Sequence, residues 1–405
     1  MPARREFLYC IVLLISFCSS GFGQTRLLIP YKVDSLWGFC DTAERIVIPP
    51  QFGSVDPFIH GVAIFSTYTK DIGKDEQMVG HGKDIHESME SMEKHFKYGL
   101  TDTTGQILLP AEYDHMYTTG VGRTYMTKNK VKSVRYPSGV LFTPHRYTIE
   151  HAFNDEWFVV RDRRHRFGVI DTNERVMIPF RFNYIDYLDE KGYAQAATKN
   201  GRTGFIDRNG KFIFSFKKGR LGVASSFEED LAMICVGKEK GYVDNYHYGF
   251  IDRQGKIVLP AKYRRVDGGF SSGLCAVNNG ERSGYINRRG DTILPFKYGG
   301  TSRFTNGYGS FGSFNESGLI DTTGKLLLRV SGEASFRIVN RDFIIVERYS
   351  GNFGHVSGLM DLMGREILPF KYRLIGMPEN GLFCVIEEGG KLYYMDMRLH
   401  AYRGR

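Results

Sequence analysis

In 405 residues there are only two Trp and six Cys, and no C-x-x-C pair, so cysteine spacing points to no metal or dithiol centre. Beyond the first two dozen residues no apolar run approaches the length of a membrane span. Apart from Pro49-Pro50 the 13 Pro are scattered singly among the Gly, so no linker divides the chain. No Ser–His, Cys–His or paired-carboxylate set is placed once in otherwise regular sequence. That gives no foothold for catalysis, for a cofactor or for a metal site.

What is present favours strands. There are 47 Gly, 30 Phe and 24 Tyr, and apolar residues at 42% with charged residues at 24% exclude a disordered chain. The net charge of +9 is modest. It reads as a solvated surface with Lys and Arg in its loops. Together with the export signal it argues against nucleic acid as a partner.

Residues 1–23 read as a signal peptide. Arg4 and Arg5 precede an apolar run from Phe7 to Phe17, and Gly21-Phe22-Gly23 offers small residues for cleavage before Gln24. Cys18 raises a lipoprotein alternative, but Phe17 is too bulky for that cleavage. Loss of Arg4, Arg5 and Glu6 takes the net charge to +8. The expectation is therefore export to the periplasm, cell surface or medium. Export permits disulfides. Cys40, Cys235, Cys275 and Cys384 remain, four thiols with three possible pairings, and buried free thiols are an equal alternative.

The rest of the chain repeats itself. The segment Tyr248-Gly249-Phe250-Ile251-Asp252 returns with its glycine at Gly38, Gly99, Gly168, Gly204, Gly284, Gly318 and Gly358, and a worn copy runs from Ser133 to Gly139. Successive gaps after Gly168 are 36, 45, 35, 34 and 40 residues. That makes nine copies of about 34 residues, and Leu392–Asp396 begins a tenth that is not finished. Three residues after the glycine comes an Asp (Asn287 in one copy), and three further on a Gly such as Gly255. Asp-x-x-Gly reads as a tight turn in which Gly takes the left-handed conformation. On that basis Gly255→Val should cost ~1–2 kcal/mol.

Lys256 to Pro260 is then a return strand, ended by a Pro that cannot donate to the ladder. Pro49, Pro110, Pro144, Pro179, Pro260, Pro295 and Pro369 are each followed, three residues on, by an aromatic. The copies with Ser215 and Arg329 in the Pro position lack the aromatic too, so the two residues serve one structural purpose. A third strand such as Phe270–Val277 completes each unit.

With Trp37-Gly38-Phe39, Tyr248-Gly249-Phe250-Ile251-Asp252 and the Ile/Leu-Pro-x-x-Tyr tail, the chain resembles the WG repeat family over residues 35 to 398. Only Trp37 keeps the Trp. Such repeats occur mostly in bacterial proteins, and the resemblance implies no activity and no site residues.

The expected fold is all-β: a tandem array of antiparallel three-stranded units over residues 24–405, with a short helical insertion at about 70–97. Uneven gaps favour an open solenoid, with a propeller-like ring as the alternative. Several motifs dissolve into the repeat. Gly269-Phe270-Ser271-Ser272-Gly273 matches a hydrolase elbow and Gly307 to Gly312 a dinucleotide loop, but neither opens a helix. His81, His86 and His95 lack ligand spacing, and each turn Asp serves its own turn rather than calcium. The recurrent Tyr113, Tyr147, Tyr263, Tyr298 and Tyr372 read as packing residues rather than a binding row.

The functional expectation is an exported, non-catalytic scaffold that binds a protein or an envelope polysaccharide. The alternative is an envelope hydrolase with its site in variable loops such as 70–97 or 237–247.

Overall fold

The computed structural model describes residues 27–68, 96–154, 156–217, 221–237, 239–240, 243–244, 246–340, 342–350 and 354–404. The expected signal peptide lies outside these residues, as does the expected helix up to residue 95. Phe96 and Lys97, expected at the helix end, belong instead to the strand Phe96–Asp102.

Each repeat closes as the glycine pattern requires. Gly105, Gly139, Gly210, Gly255, Gly290, Gly324 and Gly364 all have φ between 77° and 90°, and each donates its N–H to the carbonyl three residues back. The turn Asp works for its own backbone, since Asp252 Oδ1 accepts N–H groups from Gln254 at 3.0 Å and Lys256 at 2.9 Å. Where Gly is missing, Glu44, Glu174 and Leu399 take the left-handed conformation in its place. Leu399 belongs to the tenth copy. Asp396 N–H donates to His400 O, and the strand Ala401–Tyr402 follows, so that copy is finished after all.

The Pro does not end its strand. Ile257–Tyr263 runs through Pro260 and pairs Leu259 with Phe250 and Tyr263 with Tyr248. Pro260, Ala261 and Lys262 thus face Gly249 alone, a bulge in the ladder. Pro fits there because it sits on an edge strand at a break in the ladder. The copies lacking both Pro and aromatic pair straight, with Gly204 opposite Ser215 and Gly318 opposite Arg329. In six copies Pro and aromatic accompany the bulge, and the two copies without them lack it. The third copy, with Pro144 and Tyr147, ends its strand at Phe142 before a bulge can form.

The units gain a fourth strand from the link. In Arg265–Val266, Leu274–Asn278, Ser283–Asn287 and Thr292–Tyr298 the link supplies the short first strand of a four-stranded antiparallel sheet. Seven sheets have this form, and a seven-stranded sheet joins two more through the shared strand Val176–Ile185. The sheet of Ile29–Val33, Leu36–Cys40 and Ile46–Phe52 has three strands, its first position unfilled among the described residues. These make ten blades. They span 29–52, 54–113, 115–142, 148–182, 184–216, 221–263, 265–298, 300–331, 334–372 and 374–402. The pair Glu239–Lys240 and Val243–Asp244 is a small hairpin inserted in the sixth.

Neighbouring blades bury their apolar faces on one another. Phe250, Leu259 and Tyr263 of the sixth blade pack with Phe270, Cys275 and Ile286 of the seventh. Tyr285 and Leu294 of the seventh pack with Phe304, Phe311 and Ile320 of the eighth. The copies at Gly249 and Gly284 are alike and in contact. Each such side chain contributes ~1.5–3 kcal/mol relative to exposure.

The same packing joins the two ends. Ile29, Tyr31 and Cys40 of the first blade share a buried cluster with Leu382, Tyr394 and Tyr402 of the tenth. Trp37 meets Tyr394 edge to face at 6.1 Å, and His400 Nε2 lies 3.3 Å from Glu44 Oε1. The array is a closed ring rather than an open solenoid. Uneven gaps do not prevent closure because the extra residues are inserted between strands that still pair, Tyr68 with Phe96 and Val236 with His247.

Candidate functional site

The first strands line the middle of the ring. Arg303, just after the first strand of the eighth blade, pairs at 2.6 Å with Glu228 at the end of the first strand of the sixth. An ion pair that skips a blade requires those strands to converge. Elsewhere residues of these strands meet across one boundary: Ser226 donates to Asp186 Oδ2 at 2.6 Å, and Arg337 Nη2 donates to Ile375 O at 2.7 Å.

The inner lining carries tyrosines that the repeat does not demand. Tyr117 is 55% exposed, Tyr187 57% and Tyr184 39%. The recurrent aromatics behave as expected: Phe52, Phe182, Tyr263, Tyr298 and Tyr372 are buried, while Tyr113 and Tyr147 are half-buried. Tyr117 stacks on Tyr125 with centroids 5.1 Å apart and planes within 8°, and His151 lies 4.5 Å from Tyr187. Burial, reinforced by Tyr125 and Tyr187, raises the Tyr117 hydroxyl pKa. Burial lowers His151, so its ring is neutral at pH 7. Burial and then Asp186 push Tyr184 up to about 12.

At the seam where the ring closes, a cavity of about 890 Å³ is lined by Phe58, His60, Thr118, Pro137, Glu379 and Asn380 among others. Asn380 Nδ2 donates to Phe58 O at 2.7 Å, joining the tenth blade to the second past the three-stranded first. A recess of about 130 Å³ adjoins it and holds Asp56, Tyr117 and Glu379. Asp56 is exposed to solvent at the recess, although protein atoms crowd around its carboxyl. Burial and then the Glu379 charge lift it from the usual 3.8 to about 6.

A carboxyl raised by folding stabilises the fold most when protonated. Its contribution is full below its ordinary value and is lost as pH rises through about 6. Asp56→Asn, neutral at every pH, should therefore melt above the parent at pH 8 and level with it at pH 4. Equal melting temperatures at both would remove the pair from this environment.

The other sequence motifs are structural. Ser272 and Gly273 form a left-handed turn into the strand Leu274–Asn278, and Tyr308–Gly312 is itself a strand. The four cysteines are free thiols, with Cys40 and Cys275 buried; burial pushes Cys40 up to about 12. His81, His86 and His95 lie outside the described residues. Among those described, no three His, Cys, Asp or Glu are grouped to hold a metal, and no helix is long and apolar enough to cross a membrane. Reasoning from spacing missed Asp56 and Glu379, which lie at opposite ends of the chain. Tyr117 and Tyr187 had one weak signal, falling four and five residues after the aromatics Tyr113 and Phe182.

Compared with known proteins, the chain is similar in fold to the crystal structure of the eukaryotic initiation factor, at 11% identity, over 85% of this chain and 95% of that one, with a TM-score of 0.49. BamB from Moraxella catarrhalis matches at 10% identity over 68% of this chain and 94% of that one, TM-score 0.37. AztD from Citrobacter koseri matches at 11% over 75% and 90%, TM-score 0.36. These likenesses are too slight to carry any inference about the chain. Among curated proteins no sequence matches it. The family model of the WG containing repeat matches residues 37–67, 98–119, 167–201, 248–282, 284–311 and 358–391. The straight-paired copies at Gly204 and Gly318 fall outside those matches, as do the worn third copy and the tenth. The bulged unit is the one the family shares, and the chain belongs to the WG-repeat family.

Proposed function

We propose that the ring is an exported, non-catalytic scaffold that binds a protein or envelope polysaccharide partner at its inner face. The observation that carries this reading is the group of exposed tyrosines Tyr117, Tyr184 and Tyr187, of which Tyr117 lines the recess that adjoins the cavity of about 890 Å³. Exposed aromatic faces in a concave site bury area on binding at low entropic cost. Export rests on the leader-like residues 1–23. Capture from an envelope extract tests it. Wild-type protein should retain a partner that a Tyr117→Ala, Tyr187→Ala double variant loses, while both melt alike. Equal capture by both would place binding elsewhere.

An envelope hydrolase is the competing reading, and the Asp56–Glu379 pair gives it some support. One carboxyl raised toward neutrality beside another is a pattern used for acid–base hydrolysis. Turnover of aryl glycosides that disappears in Asp56→Asn would favour it over the scaffold.

A further inference from the structure

We propose that the recess at the seam binds an organic cation, a primary ammonium or guanidinium group on an alkyl stem, between the Tyr117 ring and the carboxylates of Asp56 and Glu379. The proposal deepens the scaffold reading and rests on it for the site's role.

The charges are the first reason. Basic residues outnumber acidic ones by 54 to 45 in this chain. Carboxylates elsewhere are commonly engaged, as in Arg253 with Asp189 and Asp230, Arg337 with Glu347, and Arg303 with Glu228. Among the described residues Asp56 and Glu379 have no cation, although they face each other in one recess. Two like charges left together in a partly desolvated pocket repel, and a bound cation would remove that repulsion. Burial first, and then the uncompensated Glu379 charge, raise Asp56 to about 6.

The walls are the second reason, and they select the kind of cation. Beside the hydroxyls of Tyr117 and Thr118, the recess has apolar walls in Val62, Ile64 and Met116. They suit the methylene stem of an alkylamine, as apolar surface does for lysine stems generally. The Tyr117 ring is exposed and held flat by its stack on Tyr125, which presents a π-face to a cation. A volume of about 130 Å³ admits one such head group but not a sugar ring with its hydroxyls. Ile59, Thr118 and Glu379 border both this recess and the 890 Å³ cavity, so a larger ligand can enter through the cavity and place only its charged end here.

The groups facing Asp56 are Glu379 from the tenth blade, Tyr394 from the same blade and Tyr117 from the third. His60 stands in the larger cavity with its Nε2 2.6 Å from Gly120 O. Glu379, Tyr394 and Tyr117 carry no positive charge in either protonation state.

The test titrates purified protein with n-butylammonium and n-butylguanidinium chlorides by calorimetry, with n-butanol as the neutral control. Saturable binding is expected at pH 7.5 for the cations and not for the alcohol. It should weaken by about ten-fold in Glu379→Gln and about five-fold in Tyr117→Leu, in line with loss of a charge and of a cation–π contact. Tyr117→Leu should keep the parent melting temperature, Glu379→Gln should melt level with the parent or above it because the repulsion is relieved, and Asp56→Asn should reproduce the Glu379→Gln loss of binding. Binding should also weaken from pH 7.5 to pH 5 as Asp56 gains its proton. An acetyl-Gly-Lys-Gly-amide peptide distinguishes the sources. Tighter binding than butylammonium assigns the site to a partner's lysine, and equal binding assigns it to free amines. No saturation by either cation, or binding unchanged in Glu379→Gln, overturns the proposal. If a partner is still captured from envelope extract in that case, the scaffold reading stands without it. If the cations bind but nothing is captured, the scaffold reading is the one that falls.

Discussion

Gly249→Ala should destabilise the protein by ~3 kcal/mol or more, the larger of two glycine effects separable by urea unfolding. A Cβ on Gly249 would stand 2.5 Å from Leu259 O and 2.6 Å from Ala261 N, both backbone atoms of the bulge. Neither can swing aside as a side-chain tip can. The bulge has to reshape, and Tyr263, which is paired and buried through it, has to move with it. The same approach recurs at Gly284, where the nearest atom is Leu294 O at 2.6 Å, and also in the straight-paired copy at Gly318, where it is Leu328 O at 2.5 Å, so the facing strand crowds this position with or without a bulge.

Gly255 tests a different constraint. Its φ of 80° is strained for any side chain, and a Cβ would also press the Phe214 ring of the preceding blade at 2.8 Å. Gly255→Ala should therefore cost ~2 kcal/mol, and Gly255→Val should exceed the ~1–2 kcal/mol expected from the turn alone. Gly61 isolates the backbone part, with φ also 80° and nothing within 4 Å, so Gly61→Ala should cost only ~1 kcal/mol. If Gly249→Ala is no worse than Gly61→Ala, the bulge does not crowd that glycine.

The second large effect is at the seam. Tyr394→Ala should cost ~3–4 kcal/mol, as for other buried aromatics cut back to Ala. Tyr394 is buried in the cluster that joins the last blade to the first and meets Trp37 edge to face. In an open array, damage to a terminal unit frays that unit alone. In a ring it exposes the apolar faces of two blades at once. Amide exchange should therefore speed up together in Ile29–Val33, Leu36–Cys40 and Leu382–Ile386, although the first two are more than 350 residues from the substitution. Faster exchange confined to the tenth blade would mean that the contact between the ends carries no stability.

Much of the blade was legible in the residues because its causes are local. A turn that needs a left-handed residue shows itself as a Gly at fixed distance from an Asp. The joint loss of Pro and aromatic at Ser215 and Arg329 marked a single structural device before the bulge gave it a shape. The fourth strand was not legible, since Arg265–Val266 is two residues long and shows no periodicity. The tenth copy looked unfinished because Leu399 stands where Gly was expected and Tyr393 replaces the strand glycine. Asp56 and Glu379 are 323 residues apart, and no spacing rule reaches that far.

The sequence by itself determined the repeated unit, because a tight turn, a bulge and an alternating strand each depend on a few neighbouring residues. Tertiary structure alone decided that ten such units close into a ring and that two distant carboxylates share one recess. Closure depends on the small rotation between packed sheets, added up over the whole array, and on whether its last apolar face meets its first. No stretch of a few dozen residues contains that sum.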